Sequence, residues 1–105
     1  MLRMSLESAG HHVCEAADGQ DGLEQAVLWK FDVVISDQNM PRLNGLALIL
    51  ALRALPQYAA TPILILTKEL DADLKLKCKE AGATGWITKP FDSIRLINAV
   101  KDLLQ

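Results

Sequence analysis

Three residues stand where an apolar run of the sequence ends in a polar group. Asp37 follows Val33-Val34-Ile35-Ser36, Thr67 follows Ile63-Leu64-Ile65-Leu66, and Lys89 follows Gly85-Trp86-Ile87-Thr88. A carboxylate, a hydroxyl and an ammonium held together are equipped for phosphoryl transfer to a carboxylate. Asp37 would be the nucleophile and would form an aspartyl phosphate. Thr67 and Lys89 would contact the phosphoryl oxygens as charge spreads over them. Mg²⁺ would normally accompany such chemistry, because a phosphoryl dianion and a carboxylate repel one another. Singly, each residue has a plainer reading: a helix cap for Asp37, a local backbone bond for Thr67, a solvated side chain for Lys89. It is the occurrence of all three at successive strand ends that marks a site.

Other devices for handling phosphate or hydrolysis are missing from the sequence. It holds neither GxxxxGK[ST] nor GxGxxG. Asn39, not a second Asp, stands two residues after Asp37, so the DxDx pattern of aspartate-nucleophile phosphatases is absent. There is no HExxH; His11 and His12 are adjacent, cannot chelate from one face, and read as an exposed turn. A small hydrolase would need a nucleophile–His pair and a flavin binder a phosphate loop, and neither is legible.

The elements that must position these residues alternate. Residues 1–9 read as a helix or the C-terminal part of one, with Leu2, Leu6 and Ala9 on one face and Gly10 as its stop. Residues 12–16 read as a short strand, and Asp18-Gly19 as a turn. A helix follows to Lys30 with Leu23, Ala26 and Val27 at helical spacing. Strand 32–36 comes next, then a helix from Leu43 to Ala54 closed by Pro56. Strand 61–67 has Pro62 at its start, where a missing N–H does least harm. Helix 71–81 puts Leu74, Cys78 and Ala81 inward and ends at Gly82. Strand 85–88 stops at Lys89-Pro90, and a last helix from Asp92 is expected to bury Ile94, Ile97, Val100 and Leu104. The order αβαβαβαβα, with two strands apolar on both faces, implies a parallel α/β sheet with right-handed crossovers. Ligand chemistry in such sheets sits at the carboxyl ends of the strands, where Asp37, Thr67 and Lys89 stand.

Composition sets the outer bounds. A chain of 105 residues, half of them apolar and 23% charged, is one globular domain with a single core. Its net charge of −2 gives no electrostatic case for nucleic acid or for an anionic membrane. The apolar runs are too short to span a bilayer and the first residues do not form a signal peptide. Cys14 and Cys78 lack metal spacing and read as reduced thiols, so a cytoplasmic location is expected.

The segments "DVVISDQNMPRLNGLALI", "ILILT" and "AGATGWITKPF" together resemble the receiver domain of two-component response regulators, most of all its chemotaxis-type (CheY-like) members. The resemblance runs from residue 1 to about 104 and implies a flavodoxin-like, doubly wound parallel sheet. The strand order 2-1-3-4-5 comes with that family and does not follow independently from these residues. Carried onto this sequence, the resemblance makes Asp37 the phosphoacceptor and Thr67 the switch hydroxyl. It makes Lys89 the phosphoryl-pairing lysine and Lys89-Pro90 a cis bond. The backbone carbonyl of Asn39 would join Asp37 in the Mg²⁺ shell, and Trp86 stands at the aromatic switch position, where the family more often has Tyr or Phe. The implied partners are a histidine kinase and an output protein; the chemotaxis likeness points to a flagellar motor component. No separate organic cofactor is implied.

The sequence departs from the family at its start. The family places a strand before its first helix, and that strand ends in an acidic pair that binds Mg²⁺. Neither is present here; the only early acid is Glu7, on the helix. The expectation is therefore a receiver over 1–105 that is incomplete at its N-terminus, with four strands and five helices. A truncated chain, a start at an internal Met, a degenerate receiver acting by binding alone, and strand exchange with a partner chain are the competing explanations. Weak or absent phosphorylation is expected, and two strand edges should be left open to pairing. Helix 46–55, "LALILALRAL", is apolar almost all round. A helix of that kind is normally buried on every side; here it is either an Ala/Leu-rich helix with a few exposed apolar residues or a homodimer interface at Leu48, Leu50 and Leu52. Two functions follow: a phosphorylation-controlled interaction switch, or a phosphorylation-independent interaction or dimerisation module.

Overall fold

A computed structural model describes residues 6–38, 42–68, 72–90 and 92–104. Residues 6–8 are helical, and the chain turns out of this helix at Gly10, whose φ of +95° suits glycine. Helix α1, Gly19–Leu28, is capped by Asp18, whose carboxylate accepts the Asp21 N–H at 2.9 Å. Strand β1 is Val34–Asp37. Helix α2, Gly45–Arg53, is capped by Asn44, which accepts from the Ala47 N–H at 2.9 Å. A 3₁₀ turn at Pro56–Tyr58 leads to strand β2, Ile63–Thr67. Helix α3, Ala72–Ala81, stops at Gly82 (φ +109°). Strand β3, Gly85–Thr88, and helix α4, Ser93–Leu103, complete the chain; Asp92 caps α4 by accepting the Arg95 N–H at 2.7 Å.

The three strands form a parallel sheet in the order β1-β2-β3. All five residues of β2 are buried because the period of two sends alternate side chains into two cores. Ile63 and Ile65 enter a cluster with Ala26, Leu48, Ile49, Leu52, Tyr58 and Ala81. Leu64 and Leu66 enter a second cluster with Leu6, Ile87, Leu96 and Val100. So α1 and α2 cover one face, while α4 and the N-terminal turn cover the other. The burial of each such aliphatic side chain stabilises the fold by roughly 1.5–3 kcal/mol.

Tyr58 and Arg53 tie the bottom of this arrangement together. Fully buried Tyr58 places its hydroxyl 2.8 Å from the Ala26 carbonyl and 2.5 Å from that of Trp29, joining the end of α1 to the 3₁₀ turn. Arg53, at the end of α2, donates to the carbonyls of Tyr58 (2.6 Å), Thr61 (2.7 Å) and Gly82 (2.8 Å). Partial burial pulls its pKa below the usual guanidinium value.

The structure corrects the sequence expectation in two places, the sheet and α4. The sheet has three strands among the described residues, not four. Residues 12–16 pair with no strand among those described; Cys14 and Glu15 are exposed, and only Val13 packs, against the second cluster. A strand needs a neighbour to hydrogen-bond, and no described strand lies beside this segment, so among the described residues β1 is an edge of the sheet. In α4 the buried row is Leu96 and Val100, whereas Ile94 and Leu104 are exposed, at 70% and 45%. Several apolar residues on this helix allow more than one row at helical spacing, and contact with the sheet selects one. In α2, Leu48, Ile49 and Leu52 are buried and Leu50 alone of the leucines weighed as an interface is exposed. Leu2 lies outside the described residues. No helix among those described is long and apolar enough to cross a membrane.

Candidate functional site

Asp37 is the last residue of β1 and has the parity of Ile35, so its side chain leaves the face of the sheet that carries the second cluster. Lys89 follows β3 with the parity of Ile87, on that same face. The two residues thus flank the carboxyl end of β2 from either side, and the Lys89 ammonium reaches Asp37 Oδ1 to form an ion pair. Asp37 is 44% exposed and Lys89 34%, which leaves the pair open to an approaching anion. The Lys89 N–H donates to the Thr67 carbonyl at 2.7 Å, extending the ladder just past the strand end, and the Lys89-Pro90 bond is cis, as the resemblance implies.

Backbone bonds fasten the chain on leaving Asp37 and again on entering α2. The Gln38 N–H donates to the Leu66 carbonyl at 3.0 Å, and the Gly45 N–H returns to the Gln38 carbonyl at 3.0 Å. Gly45 is required there: a Cβ would fall 2.7 Å from the Asp37 carbonyl oxygen and 2.9 Å from Gln38 Oε1. The Ser36 hydroxyl donates to the Asp37 carbonyl at 2.9 Å. The α2 cap at Asn44 follows at once, so strand end, loop and helix start form one connected unit.

Thr67 is buried, with the parity of Ile63 and Ile65, and stands opposite Thr88 in the register. The structure therefore brings Asp37 and Lys89 together side chain to side chain, and Thr67 to them through its backbone. Trp86 is half-buried against the first cluster, and the Lys75 ammonium sits 5.1 Å from its ring centroid. It is at once part of the core and open on one side to a shallow cleft of about 440 Å³ lined by Lys75, Leu76, Lys79 and Thr84. Asn39, expected as a metal-binding carbonyl, lies outside the described residues. Cys14 is exposed and Cys78 buried, both free thiols.

The donor set is thin for Mg²⁺. Among the described residues, no three His, Cys, Asp or Glu side chains come together to hold a metal ion. Asp37 is already paired with Lys89. Beside it among the described residues, Gln38 Oε1 is buried without a hydrogen-bond partner. One paired carboxylate and one amide oxygen fall short of the protein share that Mg²⁺ sites use with substrate phosphates. These residues do not by themselves fit the ion.

Sequence reading missed Asp18 and Arg42. Arg42 has a φ of +63°, rare for a side chain of its size, and grips the α1 cap Asp18 with two bonds. Its Nε donates to Oδ2 at 2.7 Å and its Nη2 to Oδ1 at 2.9 Å. The Arg42 guanidinium, with the Asp21 N–H, holds the Asp18 carboxyl below its usual pKa. An Asp immediately before a helical pattern was a legible cap signal; a partner 24 residues away was not.

Residues 1–101 match the response regulator receiver domain, and the chain belongs to that family, a signalling module of two-component systems. Over 104 residues, 99% of the chain, it is 34% identical to the response regulator ArlR of Staphylococcus aureus. It covers 46% of that protein, so the chain spans about half the length of the curated relatives it matches. Among solved structures it is similar to the chemotaxis protein CheY4 of Vibrio cholerae, with 42% identity and a TM-score of 0.95 over 99% of this chain and 87% of that one. A response regulator from Burkholderia multivorans is 48% identical with a TM-score of 0.81, over 99% and 83% of the two chains. The receiver domain of the sensor histidine kinase PA1611 from Pseudomonas aeruginosa, described with a magnesium ion in its active-site cleft, is 27% identical with a TM-score of 0.88, over 98% and 84%. The flavodoxin-like, CheY-like fold expected from the sequence is the fold observed.

Proposed function

We propose that this receiver accepts a phosphoryl group on Asp37 from a phosphohistidine of a histidine kinase. An Asp37 carboxylate oxygen attacks phosphorus; the new P–O bond forms as the P–N bond breaks, and its electron pair returns to the imidazole. Lys89 then follows the negative charge from the carboxylate to the phosphoryl oxygens, where a charge-assisted bond is stronger. Thr67 rotates its hydroxyl toward the same oxygens. Its movement, and that of Trp86, shifts the surface from 86 to 101 between two populations that an output partner distinguishes. The observation that carries this reading is the meeting of Lys89 and Asp37 at the half-open carboxyl edge of the sheet.

The likeness to a chemotaxis protein supports a flagellar motor component as that partner. The cytoplasm, where kinase and receiver meet, is the proposed location. A second reading has its own support: among the described residues β1 is an edge strand and the donor set falls short of a Mg²⁺ site. On that reading the chain is an interaction or homodimerisation module independent of phosphorylation.

One experiment separates them. The chain and its Asp37→Asn variant are incubated with Mg²⁺ and acetyl phosphate, and intact masses are recorded. A single phosphate adduct on the parent chain, lost in the variant, supports the switch. No adduct on the parent chain, with a dimer in sedimentation, supports the module.

A further inference from the structure

Residues 42–44, which lead into α2, are fastened at a point remote from the Asp37 carboxylate. Two contacts set them against the start of α1, and a third ties them back to the end of β1. Arg42, five residues after Asp37, adopts a left-handed backbone (φ +63°) that an ordinary L residue keeps only where its surroundings hold it. Its guanidinium is clamped in a two-bond fork on Asp18, at 2.7 and 2.9 Å. Next to it, buried Gly19 lies so tight on the loop that a Cβ would fall 1.8 Å from the Leu43 carbonyl oxygen. At the far end, Gly45 closes the loop on Asp37 and Gln38. Asp18 meanwhile holds the first turn of α1 through the Asp21 N–H, so it joins a helix start to the loop in one side chain.

We infer that Asp18 and Arg42 are positioning residues: their ion pair fixes residues 42–45, which pack back on the end of β1, and so holds the Asp37 carboxylate in line with Lys89. The inference rests on the reading of Asp37 as phosphoacceptor. Neither residue touches the reacting atoms. Arg42 is 58% exposed, and exposed pairs contribute little to global stability. The effect of the pair is therefore local geometry, which phosphoryl transfer to a fixed carboxylate depends on steeply.

The test uses the intact chain with Asp18→Asn, Arg42→Gly and the double variant. Asn keeps a capping oxygen without the charge; Gly accepts the positive φ without the guanidinium. Amide hydrogen exchange by NMR is read at Gly45, bonded to the Gln38 carbonyl, and at Thr84, bonded to the Ile63 carbonyl away from the loop. Phosphate uptake from acetyl phosphate with Mg²⁺ is followed over a range of donor concentrations. Each single variant is expected to speed exchange at Gly45 severalfold and to leave Thr84 unchanged. The uptake rate at saturating donor falls severalfold at an unchanged half-saturating concentration, and the double variant is no worse than either single. Unchanged Gly45 exchange in both single variants, or effects that add in the double, overturns the inference. A parent chain that takes no phosphoryl group overturns the phosphoacceptor reading instead, and exchange at Gly45 still decides whether the pair holds the loop.

Discussion

Lys89 and Asp37 meet across the end of β2, each delivered by a strand that pairs with it from the opposite side. Both side chains are partly open to solvent, so their attraction is screened and contributes at most about 1 kcal/mol to stability. Lys89→Met should therefore shift a urea midpoint only slightly. It should slow phosphate uptake at Asp37 by about tenfold or more, because a cation aimed at the transferring oxygens is lost. Parallel denaturation and uptake assays on this one variant check both halves.

Arg53 should behave in the opposite way. Its three carbonyl partners lie on the 3₁₀ turn, the approach to β2 and the end of α3, which this one side chain links. Arg53→Met keeps much of the stem and removes the donors, leaving half-buried carbonyls short of a partner. The expected loss is about 2–3 kcal/mol. Equilibrium urea denaturation measures it, and the Asp37 chemistry should persist in the folded fraction.

The leucines of α2 separate burial from interface. Leu52 is 1% exposed and packs with Tyr58, Ile63 and Ile65. Leu52→Ala should cost about 2–5 kcal/mol through the lost contacts and the cavity left behind. Leu50 is 57% exposed, and Leu50→Lys should change stability by no more than about 0.5 kcal/mol. If α2 forms a homodimer, Leu50→Lys also dissociates it; sedimentation of the folded variant shows this.

Acid should weaken the Asp18–Arg42 pair. The Asp18 carboxyl is held below its ordinary value of 3.8 by the Arg42 side chain first and by the Asp21 N–H second. A carboxyl depressed in the folded state adds stability above the unfolded-state value, and this is lost as pH falls through the folded one. Asp18→Asn should thus be less stable than the parent chain at neutral pH, and the gap should close as pH falls below about 4. Asp21 and Glu24 also face Arg42, so some attraction for its charge remains in the variant. Thermal midpoints of both proteins across this range provide the check.

The strand ends were legible because β2 is buried on both faces and its neighbours β1 and β3 are partly buried. A continuous apolar run that stops at a polar residue marks the carboxyl edge in such a sheet. That is how Asp37, Thr67 and Lys89 could be singled out. Residues 12–16 misled because strand propensity is only permission to pair, and no described strand pairs with them. Ile94 misled because α4 carries more apolar residues than its buried row uses. Arg42 was invisible as an anchor because its partner lies 24 residues away; Arg53 was invisible because it binds backbone carbonyls 5, 8 and 29 residues away, and a carbonyl leaves no mark in the residue types.

The central claim is that Asp37 carries the phosphoryl group, and borohydride tests it at the level of one bond. The reagent reduces an acyl phosphate to an alcohol and so converts a phosphorylated aspartate into homoserine. After incubation with Mg²⁺ and acetyl phosphate, reduction and proteolysis, peptide mass spectrometry should find homoserine at position 37 and unaltered aspartate at Asp18, Asp21 and Asp32. Homoserine at another aspartate, or at none, would contradict it.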